Sequence, residues 1–221
     1  MELEVVFRGI LTVLSQGCKW RAIDQPEAGW NAIDQYYWRW SKQGLWRTLW
    51  EVCSPRLVGT KRFLDSTHVK AHRCAANARG GRAHQALGRT KGGLNTKVHA
   101  VVDPRGRVAN LFLSAGHEAD ITHAQELLAE VPAAMAVADK GYDSDAFRDW
   151  LRARGIKPCI PPRSNRTQPE RYSKSAYRKR HVVENFFERI KNHRRVATRY
   201  DKLAVTYLGF VYLAVIILNL R

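Results

Sequence analysis

The sequence predicts a mixed α/β fold, and three observations carry that reading. Two β-rich runs, 96–102 and 107–113, are joined by Asp103-Pro104-Arg105-Gly106, a composition that turns tightly, so they form an antiparallel hairpin. The apolar run 134–138 and the short stretches 61–67 and 156–160 read as further strands. Helical segments at 120–130, 144–154 and 175–195 separate and follow them. Strand, hairpin, helix, strand, helix, strand, helix is the order of a wound sheet with an antiparallel hairpin inside it.

The chain opens differently. Leu3, Val6, Phe7, Ile10, Leu11 and Leu14 recur at helical spacing, and Gly17 is placed to stop that helix. A second helix is expected over 32–42 and, after Gly44, a third over 45–52. Trp20, Trp30, Trp38, Trp40, Trp46 and Trp50 all fall here, and most of these rings are expected to fill a core. Three short helices suggest a helix-turn-helix-like unit, so residues 1–58 are expected to be a small DNA-binding unit and 59–221 the main domain. Further on, Asp120 stands where a helix N-cap is expected, and Ser144 caps a helix that Gly155 stops. Residues 203–220 carry no charge over eighteen positions, and their Thr206, Tyr207, Gly209, Tyr212 and Asn219 mark a buried core helix rather than a membrane span.

Charge narrows the function. The 37 Lys+Arg against 20 Asp+Glu leave a net +17, which implies a polyanionic partner, DNA above all. No acid occurs in residues 66–102, where Lys70, Arg73, Arg79, Arg82, Arg89, Lys91 and Lys97 stand, and a second basic block runs over 163–199. His68, His72, His84 and His99 in the first stretch form no metal-ligand pattern. The four cysteines are far apart with no CxxC pair, which argues for reduced thiols rather than disulfides or zinc. An acidic start (Glu2, Glu4) does not read as a secretory signal, so a cytoplasmic, nucleoid-associated protein is expected.

Three carboxylates stand out against this basic background. Asp65 closes the apolar step Phe63-Leu64, and Asp139 closes Ala136-Val137-Ala138. Glu184 lies in the spacing YxxRxxxExxxxxxK, made of Tyr177, Arg180, Glu184 and Lys191. With Tyr177 at zero on a helical wheel, Arg180 falls near about 300°, Glu184 near about 340° and Lys191 near about 320°, a single stripe. Val183, Phe186, Phe187 and Ile190 fall on the adjoining sector, so the helix buries the phenylalanines against a sheet and holds Glu184 at the border of that contact. Converging carboxylates repel unless a cation intervenes, and oxygen ligands select Mg²⁺ or Mn²⁺. Two such ions can clamp a phosphodiester, with Arg180 and Lys191 holding phosphates beside them. Local alternatives exist for each acid. Asp139 can bond its own turn, Lys140-Gly141-Tyr142, and Glu184 can pair with Arg180. Glu188, Asp143 and Asp145 are rival ligands, and Asp103 most simply builds its hairpin turn.

These residues resemble something known. Asp65 in FLDST, Asp139 in ADKGYDSD, the YxxRxxxExxxxxxK spacing, the stretch Gly92-Gly93-Leu94-Asn95-Thr96-Lys97 and GCKWRAI are similar to DDE transposases of bacterial insertion sequences, most of all to the insertion-sequence-five family. The resemblance implies an RNase H-like fold and two metal ions held by Asp65, Asp139 and Glu184. It implies hydrolysis at the element's ends, then strand transfer of the 3′-hydroxyl into target DNA. Tyr177, Arg180 and Lys191 are then expected to contact DNA, and the neighbouring basic side chains Lys97, Lys140 and Arg178 join them. A homodimer or larger assembly on DNA is implied too. Family members usually carry a further helix-forming segment before the region that begins here at Met1-Glu2-Leu3. The alternative expectation is therefore a truncated or inactive relic acting only as a DNA-binding protein.

Overall fold

The computed structural model describes residues 2–76 and 80–220; Arg79 of the basic run lies outside them. The N-terminal helices form where their apolar spacing placed them. α1 (Leu3–Gln16) buries Val6, Ile10, Val13 and Leu14, and Gly17 ends it in the left-handed conformation with its N–H on the Val13 carbonyl. α2 (Trp30–Lys42) and α3 (Leu45–Cys53) follow, separated by Gln43 and Gly44.

The sheet is built around β1 (Lys61–Ala71). On one side β1 pairs antiparallel with β3 (Gly93–Val102), which pairs antiparallel with β4 (Val108–Ala115). β2 (Gly88–Thr90) pairs with the first residues of β3. On its other side β1 pairs parallel with β5 (Met135–Val137), and β5 pairs parallel with β6 (Lys157–Cys159). The order β4-β3-β1-β5-β6, antiparallel on one flank and parallel on the other, is that of an RNase H-like sheet. Asp103 sets the β3–β4 hairpin: its carboxylate accepts from the backbone N–H of Arg105, Arg107 and Val58.

Both faces of the sheet are covered. On one, Phe63, Val98, Ala100 and Val137 share a single hydrophobic core with Val183, Phe186, Phe187 and Ile190 of α7 (His181–Lys191), with α9 (Ala204–Asn219), and with the N-terminal helices. On the other, Leu64, Val101, Ala136 and Ala138 pack with α4 (Ala124–Leu128) and α5 (Asp145–Ala153). The expectation of a core helix near the C-terminus holds: α9 is buried along most of its length, and among the described residues no helix is long and apolar enough to cross a membrane. Gly209 lets α9 approach closely, since a Cβ there would sit 2.6 Å from Trp46 Cδ1 and 2.9 Å from Tyr37 Oη. The Tyr37 hydroxyl also donates to the Thr206 carbonyl of α9 at 2.5 Å.

Two expected helices are broken. The 120–130 segment is a 3₁₀ turn, Asp120–His123, followed by the short α4, and Ala119, not Asp120, occupies the cap position. Asp120 is drawn instead into an ion pair with Lys97. The 175–195 segment begins as α6 (Lys174–Tyr177), tightens to a 3₁₀ turn over Arg178–Arg180, and continues as α7 and then α8 (Arg194–Ala197). A last strand, β7 (Thr198–Arg199), pairs parallel with the end of β1.

Candidate active site

The register of the parallel strands positions the two aspartates. Phe63 pairs with Val137, so continuing two places brings Asp65, midway along β1, level with Asp139, just past the carboxyl end of β5. Side-chain alternation then puts Asp65 on the face of Phe63, and Asp139 on the face of Val137, which is the face α7 covers. Burying Phe186 and Phe187, at 3% and 5% exposure, against that face leaves Glu184 exposed at its margin.

Arg180 joins two of the three acids. Its Nη1 donates to Asp65 Oδ2 at 2.6 Å, and its Nη2 donates to Glu184 Oε1 one turn along. Asp65 also accepts from the Ser66 N–H at 2.8 Å. Burial nevertheless pushes the Asp65 carboxyl up, outweighing Arg180 and the Ser66 bond, and the Asp139 charge pushes the same way. Asp139 bonds its own turn, accepting from the Gly141 N–H at 2.8 Å. Both local interactions foreseen for these acids are therefore present.

Among the described residues, no three His, Cys, Asp or Glu side chains stand close enough together to hold a metal ion as they are. The donor set nonetheless suits a hard cation, because it consists of carboxylate oxygens, and the partly buried Asp65 has its charge disfavoured. The Arg180 guanidinium stands between Asp65 and Glu184 as the positive charge that holds them together. The rival ligands are committed elsewhere or lie aside. Asp143 accepts from Arg148 Nε at 2.8 Å, Arg166 Nη1 at 2.9 Å and the Arg163 N–H at 2.8 Å, and Asp145 pairs with Arg166. Glu188 is exposed one turn beyond Glu184.

The basic candidates divide. Lys191 donates to Thr67 Oγ1 at 2.5 Å and to the His68 carbonyl at 3.1 Å, which fixes it on β1 beside Asp65, and burial lowers its pKa. Arg178 and Lys140 are exposed, and Tyr177 packs edge-on against Tyr172. Lys97 turns inward: it is 7% exposed, and its ammonium donates to Asp120 Oδ1 at 2.8 Å and to the Glu118 carbonyl at 2.6 Å. Asp120 Oδ1 also accepts from Ser66 Oγ at 2.7 Å. Lys97 is thus a strut behind the Asp65 strand. Sequence reasoning missed this Lys97–Asp120–Ser66 tie, and the only signal for it was the alternation that places Ser66 opposite Asp65.

Comparison with known proteins adds the family. Residues 57–220 match the model described as the transposase DDE domain. The chain is 33% identical over 131 residues to a protein named as a transposase for insertion sequence element IS6501 of Brucella ovis, covering 58% of this chain and 100% of that one. It is 28% identical over 130 residues to one named for element IS402 of Burkholderia cepacia, covering 53% of this chain and 59% of that one. Among solved structures it is similar to a piggyBac transposase synaptic complex with hairpin DNA, with 12% identity, a TM-score of 0.46, and coverage of 74% of this chain and 42% of that one. A pre-cleavage Mos1 transpososome gives 11% identity, a TM-score of 0.30, and coverage of 98% and 79%. On the family match, which takes in most of the sequence, the chain belongs to the transposase DDE domain family.

Proposed function

We propose that this protein cuts DNA at the ends of an insertion sequence of the insertion-sequence-five group and joins the freed 3′-hydroxyl to target DNA. The observation that carries the reading is the Arg180 bridge from Asp65 to Glu184, with Asp139 at the neighbouring strand end. Asp65, Asp139 and Glu184 are the residues to hold two divalent ions, Mg²⁺ with Mn²⁺ as substitute. Such ions supply activation of the attacking oxygen and stabilisation of the leaving one. Arg180 is positioned to move from the carboxylates to a phosphate oxygen, since a guanidinium forks onto either anion. Lys191, held by Thr67 and the His68 carbonyl, presents its charge to the backbone next to Asp65. Tyr177, Arg178 and Lys140 extend the contact, while Lys97 acts through Ser66. The helices of residues 1–58 are the second DNA-engaging unit, and two DNA ends call for a dimer or larger assembly.

The test is a nicking and joining assay on DNA carrying the inverted repeats that flank the gene. The protein should act only with divalent metal, and Asp65→Asn, Asp139→Asn and Glu184→Gln should each abolish both steps while still binding DNA. Binding with a steep salt dependence but no nicking in Mg²⁺ or Mn²⁺ would favour a DNA-binding relic instead.

A further inference from the structure

We propose that the cleft between the N-terminal helices and the far end of β1 binds unpaired DNA bases. The ligand rests on the DNA reading above, but the site is separate from the carboxylates. The cleft has a volume of about 750 Å³. Trp20 and Trp30 line it from the N-terminal unit, Tyr200 from the segment after β7, and Arg73 from the turn after β1.

Trp20 rests on the core through Tyr37 and Phe210, but Trp30 differs from the core rings. Trp46 is 1% exposed and serves packing, whereas Trp30 is 44% exposed and presents an indole to the cleft mouth. Lys19, Arg21 and Arg73 are exposed at the same cleft, and no acidic side chain is among its described lining. Flat rings interleaved with cations suit a chain of bases joined by phosphates: the rings stack the bases and the cations neutralise the backbone. A duplex keeps its bases stacked inside, so only an unpaired stretch can enter. The adjoining cleft shares Trp20, Arg195 and Tyr200 and has an exposed tryptophan of its own, Trp38, but Asp34 and Asp201 line it and disfavour phosphate. From Asp65, the end of β1 lies about 20 Å away at about 3.3 Å per residue. Duplex DNA leading from the carboxylates to the cleft would therefore span roughly six base steps at about 3.4 Å per step.

The experiment is fluorescence anisotropy of the full chain in EDTA, so that metal chemistry plays no part. The probes are a labelled oligothymidylate of about ten nucleotides and a blunt duplex of equal length. Trp30→Ala should weaken single-strand binding about tenfold while changing duplex binding by about twofold or less. Trp30→Phe should retain most of the affinity, and Trp38→Ala should leave it unchanged. Equal losses on both probes, the same loss in Trp38→Ala, or a wild-type chain that binds duplex but not oligothymidylate would each overturn the assignment. Failure to bind either probe would overturn the DNA reading along with it.

Discussion

Arg180 reaches from the turn before α7 to the central strand, where its Nη1 lies 2.6 Å from Asp65 Oδ2, and both side chains are less than a fifth exposed. A half-sheltered guanidinium in that position does part of what a metal ion would do, neutralising Asp65 while tethering Glu184. A divalent ion bound by these carboxylates would compete with the guanidinium for the same oxygens. Arg180→Gln should lower stability by about 1–3 kcal/mol, because a partly buried carboxylate loses its counter-charge. Added Mg²⁺ should raise the melting temperature of the variant more than that of the wild type. Thermal melts with and without Mg²⁺ check this, and equal stabilisation of both proteins would separate the guanidinium from the metal site.

His99 predicts a pH dependence. It is fully buried, its Nε2 bonded to Ser114 Oγ at 2.7 Å, and burial foremost holds its pKa down to about 4. In the unfolded chain the imidazole takes up its proton near about 6.5. Between those values the unfolded state binds more protons, so acidification favours unfolding. The stabilisation is fully present above about 6.5 and is lost as pH falls toward 4, by on the order of 3 kcal/mol for this group. Urea melts across that window should show a slope that His99→Gln reduces. An unchanged slope in the variant would assign the acid sensitivity to other groups.

Gly209 predicts a purely structural effect. Alanine there would place its Cβ against Trp46 and Tyr37, both fully buried and unable to step aside. Overpacking of this kind costs about 1–3 kcal/mol, and each kcal/mol lowers Tm by about 2–4 °C in a chain of this size. Calorimetry should show that loss. A variant as stable as the wild type would mean that the N-terminal helices sit more loosely on α9.

The sequence was most legible where a local pattern and the tertiary contact agree. Asp65 and Asp139 could be picked out because each ends an apolar run that becomes a buried strand, and Glu184 because its helical stripe borders Phe186 and Phe187. Lys97 was misleading. It lies in a stretch with no acid nearby, and its partner Asp120 arrives only through the fold, where a 3₁₀ turn delivers it to β3. The breaks on either side of α7 had no sequence signal either, since neither glycine nor proline marks Arg178–Arg180 or His193. The tryptophans split by position: helical periodicity buried Trp46 and Trp50 but left Trp30 and Trp38 at the surface.

The central claim is that Asp65, Asp139 and Glu184 together bind divalent metal, and titration of Mn²⁺ into the DNA-bound protein by electron paramagnetic resonance tests it most directly. The wild type should take up about two ions, and Asp65→Asn, Asp139→Asn and Glu184→Gln should each weaken uptake by about tenfold or more. Uptake by all three variants indistinguishable from that of the wild type would contradict the account.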